Sequence, residues 1–215
     1  MSSSVQDPEL LARLSGHRLV PVVVIDDART ADPLGDALVA GGLPVAEVTF
    51  RTAAGLESLR RLADRGDLLV GAGTVLTPAQ VDQAVAAGAE FIVSPGLSRA
   101  VVERCLEHQV LPLPGAVTAT EVQAALELGL TTVKFFPAES SGGAAAVRAL
   151  AAPFTEVGFM PTGGIGPDNL ADYLDLPAVR AVGGSWMVPR DLLGDTTRVA
   201  ELVRRSVGLA AALRP

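Results

Sequence analysis

The sequence predicts a single α/β domain over residues 1–215: a closed (β/α)8 barrel with a short helix ahead of its first strand. Three observations lead there. Apolar runs rich in Val, Ile and Leu alternate with longer Ala/Leu/Glu/Arg segments of helical spacing, the pattern of a parallel sheet covered by helices. Eight such units fit into 215 residues, the small end of the range for this barrel. Gly or Pro punctuates nearly every junction, while no linker, charge block or low-complexity tract divides the chain. An open doubly wound sheet competes, but the first strand–helix turn lacks the G-x-G-x-x-G fingerprint of dinucleotide-binding sheets.

In chain order, residues 8–14 form a helix that plugs the bottom of the barrel. The strands fall at 19–25, 45–50, 68–73, 91–94, 110–114, 132–136, 157–161 and 178–182, each a short run of apolar residues. Helical stretches follow them, among them 77–87, 118–128 and 196–213. In such a barrel, chemistry belongs at the C-terminal ends of the strands, so unusual residues are expected to gather there.

Composition excludes several classes of function. A net charge of −7 and a pI near 4.8 speak against nucleic acid and anionic membrane partners. One cysteine, Cys105, allows no internal disulfide and suits a reducing, cytoplasmic setting. Two distant histidines, His17 and His108, cannot build a Cys/His zinc site, and no metal or organic cofactor is expected. Residues 1–8 carry neither a basic stretch nor a long apolar one, so no secretory signal or membrane helix is expected.

One residue stands out. Lys134 is the only lysine, against sixteen arginines, and it lies in the apolar sixth strand, Thr131-Thr132-Val133-Lys134-Phe135-Phe136-Pro137. Burying an ammonium group is costly and favours the neutral amine, which is a nucleophile toward carbonyl carbon. Strand two reads Glu47-Val48-Thr49-Phe50-Arg51, so Glu47, Thr49 and Arg51 share one face. Strand six has the same parity for Thr132, Lys134 and Phe136. Two such faces turned inward bring Lys134, Glu47 and Arg51 into one pocket: a nucleophile, a proton shuttle and a bidentate anchor for a carboxylate. The alternative is a structural Glu47–Arg51 ion pair at a strand exit.

The other strand ends add detail. Strand three ends in Gly71-Ala72-Gly73-Thr74, where Thr74 offers a hydroxyl, although taken alone the segment reads better as a plain turn. Ser94-Pro95-Gly96 and Pro114-Gly115 are turns ahead of capped helices. Thr162-Gly163-Gly164 and Gly183-Gly184-Ser185 pair glycines at strands seven and eight, the common phosphate position in these barrels. Cys105, His108 and His17 read as structural, Trp186 as packing near the mouth, and Asp26-Asp27 as solvated turn carboxylates.

These motifs resemble those of the 2-keto-3-deoxy-6-phosphogluconate (KDPG) and 4-hydroxy-2-oxoglutarate (KHG) aldolases. The matching segments are Ala46-Glu47-Val48-Thr49-Phe50-Arg51-Thr52, Gly71-Ala72-Gly73-Thr74-Val75-Leu76, Ser94-Pro95-Gly96, Val133-Lys134-Phe135-Phe136-Pro137-Ala138-Glu139, Pro161-Thr162-Gly163-Gly164-Ile165 and Gly183-Gly184-Ser185-Trp186. The resemblance spans nearly the whole chain. It implies a homotrimeric TIM barrel performing metal-free class I aldol cleavage of a phosphorylated keto acid. It also implies roles: Lys134 as Schiff-base lysine and Glu47 as general acid/base. Arg51 and Thr74 would hold the pyruvoyl carboxylate, Pro95 and Phe136 would shape the pocket, and Thr162, Gly163, Gly164, Gly184 and Ser185 would lie at the phosphate. The chain departs from the family pattern at Pro114-Gly115-Ala116-Val117-Thr118, where relatives carry a bulkier residue after the glycine and then a hydroxyl; this bears on pocket shape. The competing readings are a related aldolase for 4-hydroxy-2-oxoglutarate or an epimeric or unphosphorylated sugar acid, a divalent-metal aldolase, and a catalytically silent phosphate-binding barrel.

Overall fold

Strands buried on both faces read as continuous apolar runs, and every strand here is buried along its length. The computed structural model describes residues 5–213. Its strands are β1 (Leu19–Val23), β2 (Val45–Thr49), β3 (Leu69–Gly73), β4 (Phe91–Val93), β5 (Leu111–Leu113), β6 (Thr132–Phe135), β7 (Gly158–Pro161) and β8 (Val182–Gly184). Helix α1 (Pro8–His17) precedes them. The outer layer is α2 (Ala31–Ala40), α3 (Gly55–Asp64), α4 (Pro78–Ala86), α5 (Arg99–Glu107), α6 (Ala119–Glu127), α7 (Gly143–Ala151), α8 (Leu170–Leu174) and α9 (Thr196–Ala212). Capping residues set several helix starts: Thr77 and Thr118 each form a capping box, with Gln80 and Glu121 respectively, and Asp7 caps α1 with its carboxylate.

All strand pairs are parallel. They form a curled six-stranded sheet ordered β5-β4-β3-β2-β1-β8 and a separate pair, β6-β7, instead of the expected single run of eight. Proline explains the break between β5 and β6. Leu111 and Leu113 turn their backbone groups toward the β4 side, as Leu111 N–H→Glu90 O and Ser94 N–H→Leu113 O show. Pro112 and Pro114 therefore face β6 with no N–H to donate, and no ladder forms. A single bridge, Gly115 to Lys134, joins the two strands at their upper end, through Ala116 N–H→Lys134 O at 2.8 Å and Lys134 N–H→Pro114 O at 2.9 Å.

At the lower end of this seam a side chain replaces the missing backbone bonds. Gln6, 2% exposed, donates its amide to Pro112 O (2.7 Å) and Thr132 O (2.9 Å). Its carbonyl oxygen accepts from Thr131 N–H and Thr132 N–H, both at 2.8 Å. Helix α1, expected to plug a barrel bottom, packs inward through buried Leu10 and Leu14.

The eighth strand lies later than the expected 178–182. Residues near Val179 pair with Phe159 of β7, whereas Val182–Gly184 pair with β1. Three steps along β7, from Phe159 to Thr162, match four from Val179 to Gly183, so one extra residue bulges out and interrupts the β7–β8 ladder. The bulge lies between Val179 and Gly183, and Val182 with the two glycines that follow it forms the strand. No helix of the described residues is long and apolar enough to cross a membrane.

Candidate active site

β2 and β6 bring their polar inner faces together as the alternation requires. Lys134 Nζ donates to Glu47 Oε1 at 3.0 Å, with Oε2 at 3.4 Å, and the residues are 4% and 3% exposed. Among the described residues no other ion pair is buried on both sides. Removing two charges from water costs several kcal/mol per ion, on the order of what their attraction returns, so such a pair is poor evidence for stability. The missing side chain of Gly73 makes room for the carboxylate: a Cβ there would overlap Glu47 Oε1. Glu47 pairs with Lys134 rather than with Arg51, which settles against the structural alternative considered from the sequence.

Arg51 lies past the end of β2, in an exposed turn rather than on the strand itself. Its Nε donates to the Thr74 hydroxyl at 3.1 Å, and no carboxylate among the described residues pairs with its guanidinium. Thr74 has φ 59°, a left-handed conformation that a β-branched residue adopts at a cost of about 1–3 kcal/mol. This strain sits at the rim where two donors, Arg51 and Thr74, meet.

Phe136 connects the lysine to the glycine loop. Its ring centroid is 5.1 Å from Lys134 Nζ, within cation–π range, and a Cβ on Gly163 would touch the ring at 3.4 Å. Pro95 is half-buried; its carbonyl fills the space that a side chain on Gly115 would need, and Gly115 is the residue bridged to Lys134.

The two glycine pairs differ. Gly163 (φ 104°) and Gly164 (φ 77°) are left-handed, a conformation that turns successive N–H groups toward one side. Gly183 and Gly184 are ordinary strand residues whose small size is used by neighbours: a Cβ would overlap Thr162 Oγ1 at one and the Trp186 ring at the other. Thr162 is buried, Ser185 is exposed, and Trp186 donates to Ser206 Oγ at 2.9 Å.

The remaining candidates are structural. Burial pushes the Cys105 thiol up to about 12. His108 Nε2 lies 2.7 Å from Asp82 Oδ1, and Asp26 and Asp27 pair with Arg190 and Arg29. No group of three potential metal ligands occurs among the described residues. Sequence reasoning missed Gln6 and Asn169, and for Gly73 it missed the room made for the Glu47 carboxylate. Asn169 accepts from Gly166 N–H (2.8 Å) and donates to Gly164 O (3.2 Å). Its only sequence signal is its position three residues after Gly166, as in local side-chain-to-backbone turns.

A family model described as "Aldolase: KDPG and KHG aldolase" matches residues 10–202. The 2-dehydro-3-deoxy-phosphogluconate aldolase of Treponema pallidum is 47% identical over 199 residues, covering 91% of this chain and 95% of that one. The crystal structure of the KDPG aldolase of Zymomonas mobilis ZM4 with 3-phosphoglycerate superimposes with a TM-score of 0.87 at 41% identity, covering 97% and 96% of the two chains. That of the Legionella pneumophila KDPG aldolase, with pyruvate captured at low pH as a covalent carbinolamine intermediate, gives 0.88 at 38% identity, covering 91% and 97%.

Proposed function

The chain belongs to the KDPG and KHG aldolase family, and from that premise we propose that it is a class I aldolase cleaving 2-dehydro-3-deoxy-6-phosphogluconate to pyruvate and glyceraldehyde 3-phosphate. The observation that carries the reading is the buried Lys134–Glu47 contact of 3.0 Å, a nucleophile and a proton acceptor in direct reach of each other.

In this mechanism Glu47 takes the proton that leaves the Lys134 amine free to attack the C2 ketone. Glu47 returns that proton to the carbinolamine hydroxyl, which leaves as water and yields a protonated imine on Lys134, with Glu47 again a carboxylate. Glu47 then removes the C4 hydroxyl proton, the C3–C4 bond breaks, and its electron pair passes to the imine nitrogen, giving an enamine and free glyceraldehyde 3-phosphate. Protonation of the enamine at C3 and hydrolysis of the imine release pyruvate and restore the amine. Proton transfer of this kind is worth about 10²–10⁴-fold. Because the imine is the electron sink, the reaction needs no metal, and activity is expected to persist in chelator.

Arg51 and Thr74 would hold the substrate carboxylate, supported by the unpaired guanidinium and by the hydroxyl beside it. Pro95 and Phe136 would shape the cavity. Thr162, Gly163, Gly164, Gly184 and Ser185 would line the phosphate end, supported by the left-handed glycines and by the phosphorylated ligand of the Zymomonas relative. The reading takes the eight strands as one closed barrel and one domain over residues 1–215, supported by the Gly115–Lys134 and Thr162–Gly183 bridges across both breaks. It takes the protein as a cytoplasmic homotrimer. Leu56 and Leu76, 37% and 57% exposed beyond the ends of β2 and β3, offer apolar surface for self-association, and sedimentation of the purified protein tests the number of copies.

The deciding experiment follows pyruvate release from phosphorylated and unphosphorylated 2-keto-3-deoxy acids and from 4-hydroxy-2-oxoglutarate. The phosphorylated six-carbon acid is expected to give the highest kcat/KM. Preference for 4-hydroxy-2-oxoglutarate would move the protein to the other activity of its family.

A further inference from the structure

An anion can be held by backbone N–H groups only if the neighbouring carbonyl oxygens are turned elsewhere. In the loop after β7, three consecutive carbonyls are tied down from outside. Thr162 O accepts from Ala138 N–H at 2.8 Å, and Gly163 O accepts from Glu139 N–H at 3.1 Å. Gly164 O accepts from the Asn169 side-chain amide at 3.2 Å. The first two bonds come from the backbone that leaves β6, the strand carrying Lys134. The third comes from a side chain alone.

Asn169 makes a second bond to the same loop. Its Oδ1 accepts from Gly166 N–H at 2.8 Å. Only one orientation of the amide satisfies both bonds, oxygen toward the N–H and nitrogen toward the carbonyl. With Gly166 N–H occupied and Thr162 N–H given to Phe135 O, the N–H groups of Gly163, Gly164 and Ile165 are left without a partner among the described residues. Asn169 thereby bounds the row of free donors at one end and keeps Gly164 O from facing them. The side chain of Glu139 packs beneath Gly164, where a Cβ would lie 2.7 Å from its Cγ; Glu139 accepts a hydrogen bond from Tyr173 of α8, so the loop rests on a fixed floor.

We infer that Asn169 is a positioning residue that sets the specificity for a phosphorylated substrate: it touches no substrate but holds the Gly163–Ile165 N–H groups in the arrangement that receives the phosphate. The inference rests on the phosphate reading of this loop given above.

Two variants test it. Asn169→Ala removes both bonds without adding charge. Asn169→Asp keeps an acceptor for Gly166 N–H but sets an oxygen against Gly164 O. For each, kcat and KM are measured with the phosphorylated acid and its unphosphorylated analogue, alongside borohydride trapping with pyruvate. Both variants are expected to raise KM for the phosphorylated acid about three- to tenfold, the scale of one net hydrogen bond. Kinetic constants for the unphosphorylated analogue and the extent of trapping should stay within about twofold. An unchanged preference for phosphate in both variants, or an equal loss of kcat on both substrates, overturns the role of Asn169. A wild-type protein indifferent to the phosphate overturns the phosphate reading itself, and the inference with it; the wild-type ratio and the variant ratios separate the two failures.

Discussion

Gln6 and Lys134 sit at opposite ends of the same seam between β5 and β6, both almost completely buried and both polar, and their bonding differs in kind. Gln6 directs its amide chiefly at the backbone of Pro112, Thr131 and Thr132, with the Thr131 hydroxyl a further donor at 3.4 Å. Lys134 closes the upper end with its own backbone, through the bridge to Gly115, and directs its side chain at another ionisable group, Glu47. A buried polar group whose bonding capacity goes to the backbone stabilises; one that meets a titratable side chain can exchange a proton and react. The difference also explains the composition. Arginine serves wherever a charge is needed at the surface, but a guanidinium stays protonated and cannot form an imine, so on the proposed mechanism the one lysine stands where an amine is required.

The largest effect that would sharpen this contrast comes from the upper end. Lys134→Met is expected to reduce turnover to background and, by stranding the Glu47 carboxylate, to destabilise by about 3–5 kcal/mol. Adding Glu47→Gln should recover most of that stability and none of the turnover, as read by denaturant unfolding beside the pyruvate assay. Glu47→Gln alone keeps the shape and loses the base, so kcat should fall by about 10²–10⁴-fold. At the lower end the reverse is expected. Gln6→Leu removes the side-chain partner of Pro112 O, Thr132 O and Thr132 N–H, at about 1–3 kcal/mol for each group that water cannot reach, with kcat of the folded fraction near that of the wild type. A loss of kcat in folded Gln6→Leu protein would break the division between the two ends.

The smallest effect concerns pH. Burial, helped by the charge of Arg13, holds the half-buried His17 below its ordinary value of 6.5. The folded protein thus favours neutral His17. Its contribution is complete above 6.5 and is lost as pH falls through the lowered folded value, because the unfolded chain takes up the proton first. His17→Gln should flatten that part of the stability profile without changing activity, as thermal melts across pH 5–7 would read.

Much of the site was legible because strand periodicity is strict. The parity of Glu47 on strand two and of Lys134 on strand six turns both inward, and the 3.0 Å contact follows from that parity. Arg51 was harder: β2 ends at Thr49, so alternation no longer governs it, and its partner is the Thr74 hydroxyl across the turn. The position of β8 was hidden because a bulge consumes most of the apolar residues and leaves the strand to Val182 and two glycines with no β propensity. Gln6 and Asn169 were invisible for a third reason. Each acts by satisfying particular backbone groups, Gln6 far away in sequence and Asn169 in a loop, and side-chain type alone does not say which groups lack a partner.

The most direct test of the central claim is reduction with borohydride in the presence of pyruvate, followed by peptide mapping. One covalent adduct is expected, on the peptide bearing Lys134, with loss of activity in step with its formation. An active protein that yields no adduct, or an adduct carried only by the N-terminal amine, would contradict it.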